Sequence, residues 1–534
     1  MLPGAAKSRG IRSFLPGLKC QGVQTHYNPN QACLGQFGQQ FLIVDPPKRI
    51  NLSKLVGVFI VAKHDNKGGC FDMIVRFAEQ SLFSWLHKDV RKPLVLRGAR
   101  QIGKSTLVRE FARKNNLVLS EINLERHLLL DELFQTTNVT AICRELEAIT
   151  GKNIQAPGTL LFFDEIQATP HALMFLRYLH EEMPEVPIIA AGSLLEFTLA
   201  DHSFSMPVGR IQYYHLHPVS FSEFVQAMEP SLLRYIQEFT PDSPPPVIAH
   251  QKLSQLQREF FFVGGMPEAV FGYQKNQSLT SVQEIHRSII DTYQDDFAKY
   301  AKQNDLVLLQ KVLSFIPRAL GQKIKYTAID KEQRSAKIKE TIDLLAKARV
   351  CHKVYHSHST GVPLAAEANE SVYKLLFLDI GLANYVLGLD WTTLNRMDEQ
   401  QLINEGGFAE QFVGQHLVNI SKGMDAPRLH YWLREGKRDN SEVDYMLSLS
   451  GKVLPVEVKS GKSGTLKSLH QFMHRRGLKQ AVRFDLNLPT RQNVSHAIST
   501  GKGVNEVSFA LFSLPLYAVE ELPRIAKTTE AGVR

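Results

Sequence analysis

Gly98, Gly103, Lys104 and Ser105 stand in the spacing G-x-x-x-x-G-K-[ST], an arrangement suited to gripping a row of phosphates. Glycines let the backbone curl until its N–H groups converge on phosphate oxygens. The helix that starts at the loop adds the positive end of its dipole. Within Gly98-Ala99-Arg100-Gln101-Ile102-Gly103-Lys104-Ser105-Thr106, Lys104 is placed to reach β- and γ-phosphates and the Ser105 hydroxyl to ligate Mg²⁺. Downstream, Leu160-Leu-Phe-Phe-Asp-Glu165 is an apolar run ending in two acids. A buried strand of that kind delivers Asp164 to hold Mg²⁺ through water and Glu165 to polarise an attacking water. Ser193, closing Val186-Pro-Ile-Ile-Ala-Ala-Gly-Ser193, is placed to orient that water or sense the γ-phosphate; the alternative is a strand-end cap. Arg210, in Met206-Pro-Val-Gly-Arg210, is a cation for the γ-phosphate, in cis or from a neighbouring subunit, or else half of an interdomain salt bridge.

These residues need a scaffold, and the flanking pattern supplies one. Pro93-Leu-Val-Leu-Arg97 reads as a buried strand, and Leu107, Val108, Phe111 and Ala112 recur at helical spacing after the loop. Leu117–Asn123 is a further strand. Strand and helix alternate from 90 to about 225, which implies a parallel sheet covered on both faces. Residues 226–300 are helical by pattern, a lid or connector. Between 301 and 400 a helix at Lys337–Arg349 precedes two strand candidates, Val350–Tyr355 and Val362–Ala365, the outline of a winged helix.

A second constellation lies in Glu442–Lys459, which reads as two strands around a turn. With a loop at Gly451-Lys452, Tyr445 pairs with Val458, Leu447 with Val456 and Leu449 with Leu454, so one face is apolar. The other face gathers Asp444, Met446, Glu457 and Lys459, with Asp444 across from Lys459. A loop at Ser450-Gly451 changes the partners but keeps these residues together. Two carboxylates and a lysine on one face suit a divalent metal and metal-assisted phosphodiester hydrolysis.

Bulk properties bound the rest. A chain of 534 residues with 44% hydrophobic and 22% charged residues is an ordinary globular composition with room for several cores. No apolar run approaches the ~18 residues of a membrane span. Cys20, Cys33, Cys70, Cys143 and Cys351 are scattered and without C-x-x-C spacing, which points to a reducing compartment, the cytoplasm. The net charge of +9 is uneven: residues 1–72 hold nine Lys/Arg against three Asp/Glu. Whole-chain charge is therefore a poor sign of DNA binding. Nine Lys/Arg against four acids between Lys323 and Lys353 is a better one, set against a solvated helix face. Residues 1–72 lack periodicity: they are either a flexible basic tail or an over-long start, with Met73 the natural beginning.

GARQIGKST, LLFFDEIQ, AAGSLLEF and VGRIQYYHLHPVSFSEF, in this order, resemble the prokaryotic AAA-type ATPases of the AAA_14 family, which carry a C-terminal DUF4143 region. The resemblance spans roughly residues 75–525. It implies ATP and Mg²⁺ as ligands, and a trans role for Arg210 would imply a homo-oligomer. DUF4143 regions resemble the PD-(D/E)xK nuclease fold, as does the spacing D-x12-E-x-K here. That likeness implies metal ligands at Asp444, Glu457 and Glu410, the last from a preceding helix, with Lys459 beside them; DNA is then a candidate partner. Val443 in place of proline departs from the motif. The expected fold class is α/β: a parallel-sheet P-loop NTPase domain, a helical and winged-helix-like region, and a restriction-endonuclease-like domain. The expected boundaries are a 1–72 extension, ATPase domain 73–225, helical lid 226–300, winged-helix-like module 301–400, DUF4143 domain 401–525 and tail 526–534.

Overall fold

Strand β1 (Leu94–Arg97) leads into the phosphate loop and sits inside a parallel sheet with β2 (Val118–Asn123), β3 (Thr159–Asp164), β4 (Ile188–Gly192) and β5 (Gln212–His215). The order is β2-β3-β4-β1-β5. The computed structural model describes residues 74–193, 209–300, 303–358, 361–389, 406–420, 423, 428–435, 440–461, 464–500 and 503–531. The 1–72 extension and Met73 lie outside these residues. Alternation along the strands is complete. Leu94, Leu96, Leu160, Phe162, Ile189 and Ala191 enter one core, while Val95, Leu161, Phe163, Ile188 and Ala190 enter the other. Both faces are covered, as near-continuous apolar strands require. All four expected strands form, and β5 joins them from a stretch not expected to be a strand.

Helices Phe221–Met228, Pro230–Gln237, Val247–Val263, Pro267–Asn276 and Leu279–Tyr300 follow, matching the expected helical stretch. Among the described residues no helix is long and apolar enough to cross a membrane.

The remaining strands build one mixed sheet in the order β12-β13-β11-β10-β9-β8-β6-β7. They are β6 (Cys351–Ser357), β7 (Ala368–Phe377), β8 (Leu429–Arg434), β9 (Ser441–Leu449), β10 (Lys452–Val458), β11 (Gln480–Asp485), β12 (Thr490–Thr500) and β13 (Gly503–Pro515). The helix and the antiparallel hairpin of the expected winged-helix outline both form, with the hairpin built into this sheet. The helix Ser335–Lys347 is present and buries Ile338, Ile342 and Leu345. Its following hairpin, however, is no free wing, because β6 pairs in parallel with β8 through Val354 and Leu429. An edge of unpaired N–H and C=O groups has found a partner. The second strand is Ala368–Phe377; Leu364 and Ala365 fall in a 3-10 turn instead. The expected tail is also ordered in part: helix Leu522–Ala531 buries Leu522 and Ile525.

The β9–β10 hairpin turns at Ser450 (φ 50°) and Gly451 (φ 74°), two consecutive left-handed residues of the kind a tight two-residue hairpin needs. Leu449 therefore pairs with Lys452, Leu447 with Leu454 and Tyr445 with Val456: the Ser450-Gly451 alternative forms, and each partner expected for a Gly451-Lys452 loop is displaced by two residues, which keeps the same face. On its other side β9 bulges: His430 faces Met446, but Trp432 faces Val443. The extra residue reverses the alternation. Val443 and Met446 both enter a satellite core with Trp432 and Val453, while Tyr445 and Leu447 join the main core.

Two buried side chains tie the halves together. Asp379 accepts from Gly265 N (2.6 Å), Leu382 N (3.0 Å) and Gln415 Nε2 (3.2 Å). His416, on helix Gly406–Val418, has Nδ1 2.7 Å from Phe412 O and Nε2 2.9 Å from Phe221 N. The first nitrogen donates and the second accepts, which fixes a neutral tautomer. Burial lowers the His416 pKa from 6.5 to about 4. Its contribution to stability is whole above pH 6.5 and is lost as pH falls towards 4, an effect of up to about 3 kcal/mol. We expect His416→Asn to be less stable at neutral pH and to lose stability less steeply between pH 6.5 and 4 than the wild type in urea unfolding. An unchanged acid slope would refute the assignment.

Candidate functional site

The phosphate loop leaves β1 and closes at Gly103, whose φ of 83° is left-handed. A side chain at Gly98 would collide with the backbone, since its Cβ would lie 2.4 Å from Leu216 O. The loop glycines thus serve conformation at one end and close approach at the other. Lys104 is buried, and its ammonium donates to the loop carbonyls of Gly98 (3.2 Å) and Ala99 (2.8 Å). Ser105 Oγ donates to Asp164 Oδ1 at 2.8 Å. Burial raises the Asp164 pKa, while the Ser105 hydrogen bond lowers it. A hydroxyl and a carboxylate side by side at a helix N-terminus fit Mg²⁺, which takes one or two protein ligands and fills the rest with water and phosphate.

Glu165 has a φ of 54°, and this left-handed turn is the strained kind found at functional sites. Its Oε2 accepts from Gln167 Nε2 at 2.5 Å. Gln167 is in turn wedged against the end of β4, where a Cβ on Gly192 would lie 2.6 Å from Gln167 Oε1. Ser193 follows directly. Because β4 lies between β1 and β3, Ser193 stands between the phosphate loop and the Asp164–Glu165 pair. Its hydroxyl is buried without a hydrogen-bond partner.

Arg210 is elsewhere. In the parallel β1–β5 pair Leu94 lies beside Gln212, so Arg210 precedes the strands at the edge opposite the loop. It pairs with Glu181 at 2.9 Å and is half exposed. A contact with the γ-phosphate of its own chain is ruled out by this placement, and the ion pair is within the sheet domain rather than between domains.

Sequence inspection missed the braces around the loop. The buried Arg76 donates to Ile102 O (3.1 Å), His217 O (2.6 Å) and Glu223 Oε2 (3.2 Å). Glu223 also completes the capping box of its own helix with Ser220. From helix Leu279–Tyr300, Tyr293 Oη donates to Arg100 O at 2.8 Å and Asp296 pairs with the Arg100 side chain. Pro267 stands beside Gly103, where an added Cβ would lie 3.6 Å from its Cγ. Ser220 and Glu223 carry the S-x-x-E spacing of a capping box, but Arg76, Tyr293, Asp296 and Pro267 belong to no motif, and their contacts with the loop are found only where the chain folds back.

In the C-terminal sheet the bulge carries Asp444 towards helix Gly406–Val418. There the carboxylate oxygens of Glu410, Glu442 and Asp444 lie within 4.8 Å of one another. Lys374, from β7, donates to Glu410 Oε2 at 2.9 Å, pairs with Glu442 and lies 4.0 Å from Asp444 Oδ1. Asp444 Oδ2 accepts from Val458 N at 2.7 Å. Lys459 is 2.6 Å from Glu457 Oε1, and Glu457 Oε2 is buried without a partner. Burial, then the neighbouring Asp444, pushes the Glu457 pKa up to about 8; burial also pushes Glu410 up to about 8. The expected face therefore keeps Asp444, Glu457 and Lys459 as neighbours, gains Glu442 and Lys374, and loses Met446 to the satellite core. An ammonium already stands among the acids, so they do not fit a divalent metal as arranged. Glu442 was legible by alternation from Asp444, and Lys374 as the single charge in the apolar end of β7.

If Gln167 positions Glu165, Gln167→Ala should leave ATP affinity within about twofold of wild type and lower turnover by about tenfold or more, as expected for a misplaced catalytic group. Unchanged turnover in a steady-state ATPase assay would show that Gln167 has no such role.

Residues 90–225 match the AAA_14 family, described as an AAA domain. Residues 405–497 match DUF4143 and residues 254–393 match DUF8612, each described as a domain of unknown function. No curated protein matches the chain. Among solved structures it is similar to the Thermotoga maritima RuvB Holliday junction branch migration motor, with 16% identity and a TM-score of 0.23 over 52% of this chain and 88% of RuvB. It is also similar to C. elegans PCH-2, with 13% identity and a TM-score of 0.24 over 41% of this chain and 64% of PCH-2. With its phosphate loop at the edge of a parallel sheet and a mixed sheet beyond, the chain carries an AAA domain of the AAA_14 family followed by a DUF4143 domain.

Proposed function

We propose that the protein hydrolyses Mg-ATP at the phosphate loop and uses the nucleotide state to move the helices that brace it. The observation that carries this reading is the Ser105–Asp164 hydrogen bond beside the buried Lys104. Lys104 would exchange the Gly98 and Ala99 carbonyls for β- and γ-phosphate oxygens, with loop N–H groups from Gln101 to Ser105 around them. Ser105 and Asp164 would hold Mg²⁺, which neutralises charge on the phosphates. Glu165, held by Gln167, would orient and deprotonate the attacking water. The unpartnered Ser193 hydroxyl is available to that water or to the γ-phosphate.

Arg210 could act only on a neighbouring copy, so a role for it goes with a homo-oligomer. A second reading, a nucleotide-gated switch with slow turnover, draws on Tyr293, Asp296 and Pro267, which connect the loop to the helical region. DNA is the partner proposed for the C-terminal half. Lys325, Lys331, Arg334, Lys339 and Lys347 are exposed along one stretch, although Lys323, Lys337 and Lys353 are paired with Glu435, Asp305 and Asp343. The proposed setting is the cytoplasm.

Lys104→Ala should abolish ATP binding, and Glu165→Gln should bind ATP yet turn it over at least a hundredfold more slowly. Equilibrium binding of labelled ATP and phosphate release test both; normal hydrolysis by either variant would sink the assignment. Stimulation of turnover by duplex DNA, weakening as salt rises, would support the DNA reading.

A further inference from the structure

We propose that Lys374 is the resident cation of the C-terminal carboxylate cluster, and that its ammonium closes the site to the divalent metal these acids would otherwise bind. The oxygens of Glu410, Glu442 and Asp444 are near enough for one ion to touch all three. Lys374 Nζ already occupies that position, bonded to Glu410 and Glu442 and 4.0 Å from Asp444. A metal ion lies about 2.0–2.6 Å from its oxygen ligands, so a metal bridging the same atoms would need the volume the ammonium fills. A dication beside an ammonium in a buried site is also repelled more strongly than it would be in water.

Lys374 cannot simply step aside. Its side chain is only 3% exposed, and its ammonium lies 5.1 Å from the centre of the Tyr431 ring. The strand that carries it is laced to the helix that carries Glu410. Gln411 bonds both the N–H and the carbonyl of Phe377 at 2.9 Å, and Gln415 accepts from Ile380 N at 2.9 Å. Withdrawing the Lys374 ammonium would leave three half-buried carboxylates without their shared cation. In the other half of the constellation Lys459 pairs with Glu457 Oε1 and the Val458 N–H bonds Asp444 Oδ2, while Glu457 Oε2 has no partner.

The acids that resemble a metal-dependent nuclease site are thus a salt-bridged joint between helix Gly406–Val418, β9 and the edge strand β7. This inference does not depend on ATP hydrolysis. It removes the Glu410–Glu442–Asp444 cluster as the metal centre of a nuclease.

The test is Mn²⁺ titration of the full, nucleotide-free chain, with free Mn²⁺ read by electron paramagnetic resonance, for wild type, Asp444→Asn, Lys374→Met and the double variant. Wild type and Asp444→Asn should bind Mn²⁺ equally. Lys374→Met should gain one site, bind there at least tenfold more tightly than wild type, and lose it in the double variant. A site in wild type that disappears in Asp444→Asn, or no gain in a folded Lys374→Met, would overturn the proposal. Should Lys374→Met fail to fold, as circular dichroism would show, the first pair decides alone: equal binding supports the closed site and unequal binding refutes it.

Discussion

The architecture depends on the compensation of charge taken out of water. Asp379 makes the point most directly. It is fully buried, and burial raises its pKa. It is tolerable there because three groups from three parts of the chain donate to it: Gly265 in the helical region, Leu382 in the helix Ile380–Val386 that Asp379 caps, and Gln415 in the region that matches DUF4143. A buried carboxylate without those donors would cost several kcal/mol, more than most single side chains contribute to stability. Gly264 is glycine because Asp379 stands where its Cβ would be, 2.1 Å from the carboxylate oxygen's position. One buried acid thus dictates both a backbone residue and the seating of the C-terminal domain.

The same principle builds the surroundings of the phosphate loop. Arg76 and Glu223 are both nearly excluded from water and satisfy each other, and each also bonds backbone groups near the loop or at a helix start. The loop is thereby fixed from the N-terminal side by Arg76 and from the helical region by Tyr293 and Asp296. A loop held at both ends can transmit what it binds, because a shift of Arg100 must be felt by the helix that carries Tyr293.

Two groups of acids in this chain have opposite fates. Asp164 and Glu165 end a buried strand at an open sheet edge, with hydroxyls for neighbours and the charge of Arg109 4.0 Å away. Glu410, Glu442 and Asp444 are half-buried, with an ammonium delivered among them. The residue types are alike, and the difference is whether a cation of the protein itself has been placed at the centre.

The phosphate-loop half was largely legible because its signals are local. Loop spacing, the apolar runs of β1, β3 and β4, and the following helix depend on hydrogen bonds and periodicities within a few residues of each other. The hairpin of β9 and β10 was legible to the same degree: the Ser450-Gly451 turn and the apolar alternation were visible, although the register stayed open between two loops. What only tertiary structure decided were the contacts across long separations. The bulge opposite β8 turned Met446 away from Asp444, the pairing of β6 with β8 absorbed the supposed wing, and parallel alignment of β5 with β1 put Arg210 at the far edge. Lys374 reached Glu410 and Glu442 from a strand that sequence alone had not identified. Local patterns specify which elements form and which residues they present. Which partner satisfies a buried charge or an open strand edge is settled only when the chain comes together.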